Sequence, residues 1–244
     1  MKKLFIASTP NDIEISKVLP IGVSEELEER LIRINGNGNT IKYKDGYNST
    51  LFNIPANVSM RFDDVSIDGQ NNWSFEENST TGDGWYAPYI NSNGPEINDY
   101  MFKNSGTITL GNNVIIKNVI FDSGSTNYNN DIGIIKSTSG KVVLDGVVMT
   151  NCAGLSLNAI NSTVEIKGNT TISNNFGTGN KGGMFIIDNS TAKLSENAVI
   201  SNNKSIVRSG AIFGLVNGSD LIIEGGKINN NIIEVYITKG IGLI

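Results

Sequence analysis

The chain has 244 residues, 39% hydrophobic and only 18% charged, with a formal net charge of −5, one cysteine and no histidine. This excludes an intramolecular disulfide, histidine-ligated metal sites, and Ser-His or Cys-His catalysis. Lys and Arg are scattered singly in an acidic chain, which argues against nucleic acid as a partner. No apolar run reaches the ~18 residues needed to cross a bilayer, so no membrane insertion is expected in this segment.

The opening Met1-Lys2-Lys3-Leu4-Phe5-Ile6-Ala7 stops at Ser8-Thr9-Pro10, too short for the apolar part of a secretion signal. Met1 is therefore expected to open an expressed or internal fragment. Residues 4–8 and 12–19 are expected as short strands. Residues 24–31, with Ser24 as N-cap and acids in the first turn, are expected as a short helix covering one end of the fold. A loop inside the first coil is the alternative. Residues 31–41 then give a strand, a tight Asn/Gly turn and a second strand. Residues 51–54 and 59–68 continue that pattern, with Met60, Phe62, Val65 and Ile67 pointing inward.

Residues 73–100 break the pattern, and Met101-Phe102-Lys103 resumes it in the register of Leu51-Phe52-Asn53. The segment is therefore an insertion at one turn, not a domain boundary. Six of its 28 residues are aromatic, in a chain with 7% aromatics.

From residue 157 the chain repeats every 28 residues. Leu157, Phe185 and Phe213 form one column, Ala159, Ile187 and Leu215 a second. Ile166, Leu194 and Ile222 form a third, Ile172, Ile200 and Ile228 a fourth. Two polar columns accompany them: Asn161, Asn189, Asn217 and Asn174, Asn202, Asn230, both expected to form side-chain amide ladders at bends. Gly182-Gly183, Gly210 and Gly240 each precede a strand and are expected to hold left-handed or otherwise unusual backbone. Short β-branched strands with alternate apolar residues, three per repeat, are the signature of a parallel β-helix. The final Ile241-Gly242-Leu243-Ile244 begins a further coil, so a further chain or a partner is expected at that end.

Ile172-Ser173-Asn174-Asn175 and Ile200-Ser201-Asn202-Asn203 alternate with Gly182-Gly183-Met184-Phe185 and Ser209-Gly210-Ala211-Ile212. This pattern, over roughly residues 100–240, resembles the right-handed β-helix repeats of bacterial surface and autotransporter adhesins. The stretch Asn113-Val114-Ile115-Ile116-Lys117-Asn118-Val119 is similar to a strand pair of the pectate-lyase-like superfamily. Those lyases usually have histidine after the aspartate matched by Asp145; this chain has Gly146, and their arginine-rich motif is not recognisable. The resemblance thus implies their fold and not lyase activity.

The fold expected is all-β: a right-handed, single-stranded parallel β-helix, a solenoid with three short strands per coil and an N-terminal cap. Residues 1–30 form the cap and first strands, and 31–244 the β-helix with its insertion at 73–100. Function is expected where the register fails, because loops on rigid scaffolds carry function. Trp73, Trp85, Tyr86 and Tyr89, with Asp83, suit stacking on sugar rings and hydrogen bonding to hydroxyls; a local core that folds the insertion onto the scaffold is the alternative. Asp68 and Asp122, one residue after Ile67 and Phe121, are taken to share a register, and so form a candidate catalytic carboxylate pair. No cofactor is expected, apart from Ca²⁺ if Asp63, Asp64 and Asp131 bind it through oxygen. The expected role is a non-catalytic, adhesin-like module, extracellular or at the cell surface, whose partner is a host or environmental glycan or protein. The alternatives are a polysaccharide lyase or glycoside hydrolase, including a phage tail depolymerase, and a purely structural stalk.

Overall fold

A computed structural model describes residues 3–8, 11–19, 30–76, 89–92, 94–121, 132–178, 183–206 and 212–234. Every regular element among them is a strand. Two parallel eight-stranded sheets and one parallel six-stranded sheet carry most of the chain. The first sheet runs from Lys3–Ser8 to Asp220–Glu224, the second from Ile13–Ile15 to Lys227–Asn229, and the third from Phe52–Ile54 to Phe213–Val216. The chain visits them in rotation. Leu155–Ile160 lies in the third sheet, Thr163–Lys167 in the first and Thr171–Ser173 in the second, each paired with the equivalent strand one repeat later. Stacked parallel sheets of this kind fit a solenoid, with strands about 4.8 Å apart along the stack.

A further, narrower set of strands lies beside the three sheets. Phe176–Gly177, Lys204–Ile206 and Ile232–Glu234 form a narrow parallel ribbon, and single bridges from Ala153 link it to Ile120–Phe121 and Glu96–Ile97. The reason is the bend at Asn174-Asn175, which turns the chain out of the second sheet and leaves room for one more pairing.

Inward columns make the core. Met60, Phe62, Val65 and Ile67 are all buried, as expected. Phe52 and Phe102 stack at 5.4 Å with Phe62 against both, and Phe185 stacks on Phe213 at 4.4 Å. Phe102 pairs with Phe52 and Lys103 with Asn53, so the register does resume after the insertion.

Three expectations need correction. Arg30 and Leu31 open a strand that pairs with Lys3–Ser8, so the predicted helix does not include them; residues 20–29 lie outside the described residues. Leu194 stands opposite Ile223, not Ile222. Gly218, in left-handed backbone after Asn217, adds one residue before that strand, and the following turn is one residue shorter, which restores Ile200 opposite Ile228. Third, Asn174, Asn202 and Asn230 do not build the inner ladder. They take left-handed backbone, and the next residues, Asn175, Asn203 and Asn231, carry it. Among the described residues, ten of the fourteen non-glycine residues with positive φ are asparagine. Gly182, Gly210 and Gly240 are outside the described residues. Asparagine tolerates this region because its short polar side chain bonds locally.

Both recurrent bends use one device. A left-handed Asn turns the chain, and the next residue offers a side-chain acceptor to the preceding coil. Ser190 Oγ accepts the Ser162 backbone N–H at 2.8 Å, and Ser219 Oγ accepts that of Ser190 at 3.1 Å. Asn203 Oδ1 accepts the Asn175 N–H at 3.0 Å, and Asn231 Oδ1 that of Asn203 at 3.0 Å. Buried bends are thereby left without orphan donors.

Candidate functional site

The insertion leaves the second sheet after Asp68. Gln70 is left-handed, and the Asp68 carboxylate accepts its N–H at 2.8 Å. Asn71, buried, donates to the Pro95 carbonyl at 3.1 Å and ties the two ends of the insertion together. Trp73–Glu76 and Tyr89–Ser92 form the one antiparallel strand pair among the described residues. The Trp73 indole donates to the Asn151 carbonyl at 2.9 Å, and its ring packs on Phe176 at 6.1 Å. Trp73 therefore holds the root of the insertion against later coils, the role given by the alternative of a local core. Trp85, Tyr86 and Asp83 lie outside the described residues, and of Tyr89 only the backbone is described.

The returning arm of the insertion brings Asp99 and Tyr100 onto the outer face of the third sheet. That face carries an outward column, Asn53, Lys103, Lys136 and Asn158, on four successive strands. Asp99 accepts from Lys103 Nζ at 2.5 Å, from Thr50 Oγ1 at 3.0 Å and from the Tyr100 N–H at 2.8 Å. Desolvation pushes its carboxyl pKa up, but these three donors outweigh it and the net shift is downward. Tyr47 adds a hydroxyl bonded to the Thr50 carbonyl and stacks on Tyr43.

Tyr100 crosses this face. Its hydroxyl accepts from Asn158 Nδ2 at 2.9 Å, two strands away, and Lys136 Nζ sits 5.5 Å from its ring centroid, within cation–π range. Lys136 makes no ion pair among the described residues. Asn158 is buried, and its Oδ1 has no donor. An unpaired buried acceptor is costly, of order 1–3 kcal/mol, unless a water or ligand donates to it. Asn158 Oδ1 is sealed from solvent, so what the strip offers a ligand is the Lys136 cation and two tyrosines, which suits a ligand rich in hydroxyls.

The register expected to bring Asp68 and Asp122 together is not found. Asp68 is in register with Lys117, whose Nζ lies 3.4 Å from it, while Phe121 pairs with Ile97 in a different sheet. Asp122 lies outside the described residues. The remaining members of the Asp68 column are Glu14 and Lys42 before it and Thr150, Ser173, Ser201 and Asn229 after Lys117. Asp63 is buried and takes Arg33 Nε at 2.9 Å and Arg61 through two nitrogens, at 2.8 Å each. Its oxygens are thus already engaged by guanidinium groups. Asp64 is a left-handed turn residue whose carbonyl accepts the Gly38 N–H. Asp131 lies outside the described residues. Among the described residues no group of three or more Asp, Glu or Cys is placed to hold a metal ion.

The strip on the third sheet was invisible in the sequence. Lys103, Lys136 and Asn158 have unequal separations, so no period brings them together; only the Tyr100 end of the aromatic cluster marked the area. No known protein family, curated protein or solved structure matches this chain.

Proposed function

We propose that this chain is a right-handed parallel β-helix with three main strands per coil, acting as a non-catalytic binding or display module of a bacterial secreted or surface protein. The ligand is a glycan, held on the outer face of the third sheet beside the insertion. One observation carries this reading: the Lys136 ammonium, without an ion pair among the described residues, lies over the Tyr100 ring on the outer face beside the insertion. Sugar hydroxyls accept from the Lys136 ammonium, and the Asn158 amide holds Tyr100 in place beside it. Trp85, Tyr86 and Tyr89, with Asp83, are proposed to extend the site by stacking and hydrogen bonding.

Binding to a glycan array, followed by titration of the best ligand, tests the proposal. Lys136→Ala and Asn158→Ser are expected to weaken binding about tenfold each, the cost of one well-placed polar contact. Trp85→Ala with Tyr86→Ala is expected to weaken it further. Unchanged affinity in all of these variants overturns the site, and no binding to any glycan leaves the stalk reading. Release of reducing or unsaturated sugars from a polysaccharide overturns the non-catalytic reading.

A further inference from the structure

The two ends of the stack match each other. In the second sheet one inward column runs Ile13, Ile41, Ile67, Ile116, Met149, Ile172, Ile200, Ile228. Its interior members are buried, but its two ends are exposed, Ile13 at 37% and Ile228 at 38%. The last coil also exposes Ile223 at 54% and Ile232 at 57%. Parallel sheets have complementary, not identical, edges. The free edge of Lys227–Asn229 is therefore suited to receive a strand running the same way, and Ile13–Ile15 is such a strand with its outer edge free among the described residues.

Placing Ile13 of one copy over Ile228 of another continues the column. The same register sets Asp12 over Lys227 and Glu14 over Asn229. Lys227 makes no ion pair among the described residues, while Asp12, bonded to the Thr40 N–H and Lys42, keeps half of its side chain exposed. In the first sheet the match also holds. Ile222, exposed and pointing outward, ends the column that begins at Ile6. An exposed outward isoleucine has no role in the core of its own chain.

We propose that the C-terminal end of this stack docks the N-terminal end of a second copy of the chain, head to tail, with Ile13 over Ile228 and Asp12 beside Lys227. Such a contact is heterologous and does not close, so it adds copies into an open filament. It rests on the strand register alone and stands apart from the glycan reading.

Register-specific cross-linking tests it. A chain carrying both Glu14→Cys and Asn229→Cys is oxidised under native conditions and run on a non-reducing denaturing gel. Both sites are on the surface of end strands, and Cys152 is buried. The two new thiols cannot meet within one chain, because seven strand steps of about 4.8 Å put them roughly 34 Å apart. A ladder of dimers, trimers and higher species is expected from the double variant, and none from either single variant. Sedimentation of the unmodified chain is expected to rise with concentration, and Ile228→Lys to abolish that rise. No ladder overturns the proposal and means that residues 235–244 or another molecule cover this end. Dimers from Asn229→Cys alone also overturn it, because they indicate a tail-to-tail contact.

Discussion

Asn175 Oδ1 accepts the backbone N–H of Cys152, one coil earlier, at 2.9 Å. The bond places Cys152 in the asparagine ladder: Cys152, Asn175, Asn203 and Asn231 follow the left-handed Asn151, Asn174, Asn202 and Asn230. The thiol also imitates the amide. Asn175 Nδ2 donates to the Met149 carbonyl at 3.0 Å, and Cys152 Sγ lies 3.8 Å from that of Ile116, which is Met149's neighbour in the same column. The Val119 N–H is directed at Sγ, as the Cys152 N–H is at Asn175 Oδ1.

This fixes the chemistry of the single cysteine. Burial pushes its pKa up to about 12, against which the Val119 and Thr150 backbone bonds act weakly. Native protein is expected to resist maleimide at neutral pH and to react once unfolded. Fast labelling of folded protein would contradict the burial. Cys152→Asn is expected to keep stability within about 1 kcal/mol, while Cys152→Ala costs about 1–3 kcal/mol by leaving the Val119 N–H without an acceptor.

The two adjacent asparagines of each bend are expected to respond differently to substitution. Asn203→Ala removes acceptance of the Asn175 N–H and donation to the Ile172 carbonyl, at 3.0 and 2.9 Å. It is expected to destabilise by about 2–3 kcal/mol, since two buried polar groups lose partners. Asn202 is exposed with φ of 55°. Asn202→Gly is expected to be near neutral, and Asn202→Ala to cost about 1 kcal/mol for its strained backbone. Urea unfolding of the three variants orders them.

The 28-residue columns were legible because each core position recurs with an apolar residue, and pairing follows Leu157, Phe185 and Phe213 as read. The slip at Gly218 was not, because Ile222 and Ile223 are chemically equal and either satisfies the period. Asn174-Asn175 carried both halves of the bend, but a pattern of identical letters does not say which Asn turns and which bonds. Asp68 and Asp122 looked equivalent because each follows an apolar residue; coils before residue 151 differ in length, so counting along the chain cannot set their register.

Gly111 is the space in which a part-buried ion pair fits. A Cβ there would lie 2.2 Å from Asp63 Oδ1 and 2.5 Å from Arg61 Nη2. Arg61 is one-third exposed and can swing aside while Arg33 still holds Asp63, so Gly111→Ala is expected to cost about 1 kcal/mol. Asp63→Asn with Gly111→Ala is expected to be less damaging than the sum of the two single changes. A double-mutant cycle reading zero coupling would contradict the steric account.

Acid should loosen the third-sheet strip first at Asp99. Desolvation acts upward on its carboxyl, but Lys103, the Tyr100 N–H and Thr50 act downward and prevail. The folded pKa is therefore below the unfolded one, and the unfolded chain takes up the proton at higher pH. The stabilisation is present above the ordinary carboxylate range and is lost as pH falls through the folded value. Asp99→Asn is expected to lower the melting temperature near pH 7 and to flatten its fall between about pH 5 and 3. Equal slopes in the two proteins would mean that the Asp99 bonds do not contribute.

Trp73 gives a last separation between scaffold and site. Its indole N–H reaches Asn151, a residue 78 positions later, so one side chain ties the insertion to a distant coil. Trp73→Phe keeps a ring against Phe176 and removes only the donor, leaving the Asn151 carbonyl to water. The expected cost is about 1 kcal/mol, the net value of one such bond. The larger effect should be local, because the two ends of the insertion are otherwise held by the short strand pair and the Asn71 bond to Pro95. Proteolysis under native conditions is expected to cut within residues 77–88 several-fold faster in Trp73→Phe, with cutting elsewhere unchanged. A uniform rise along the chain would instead assign Trp73 to the global stability of the stack.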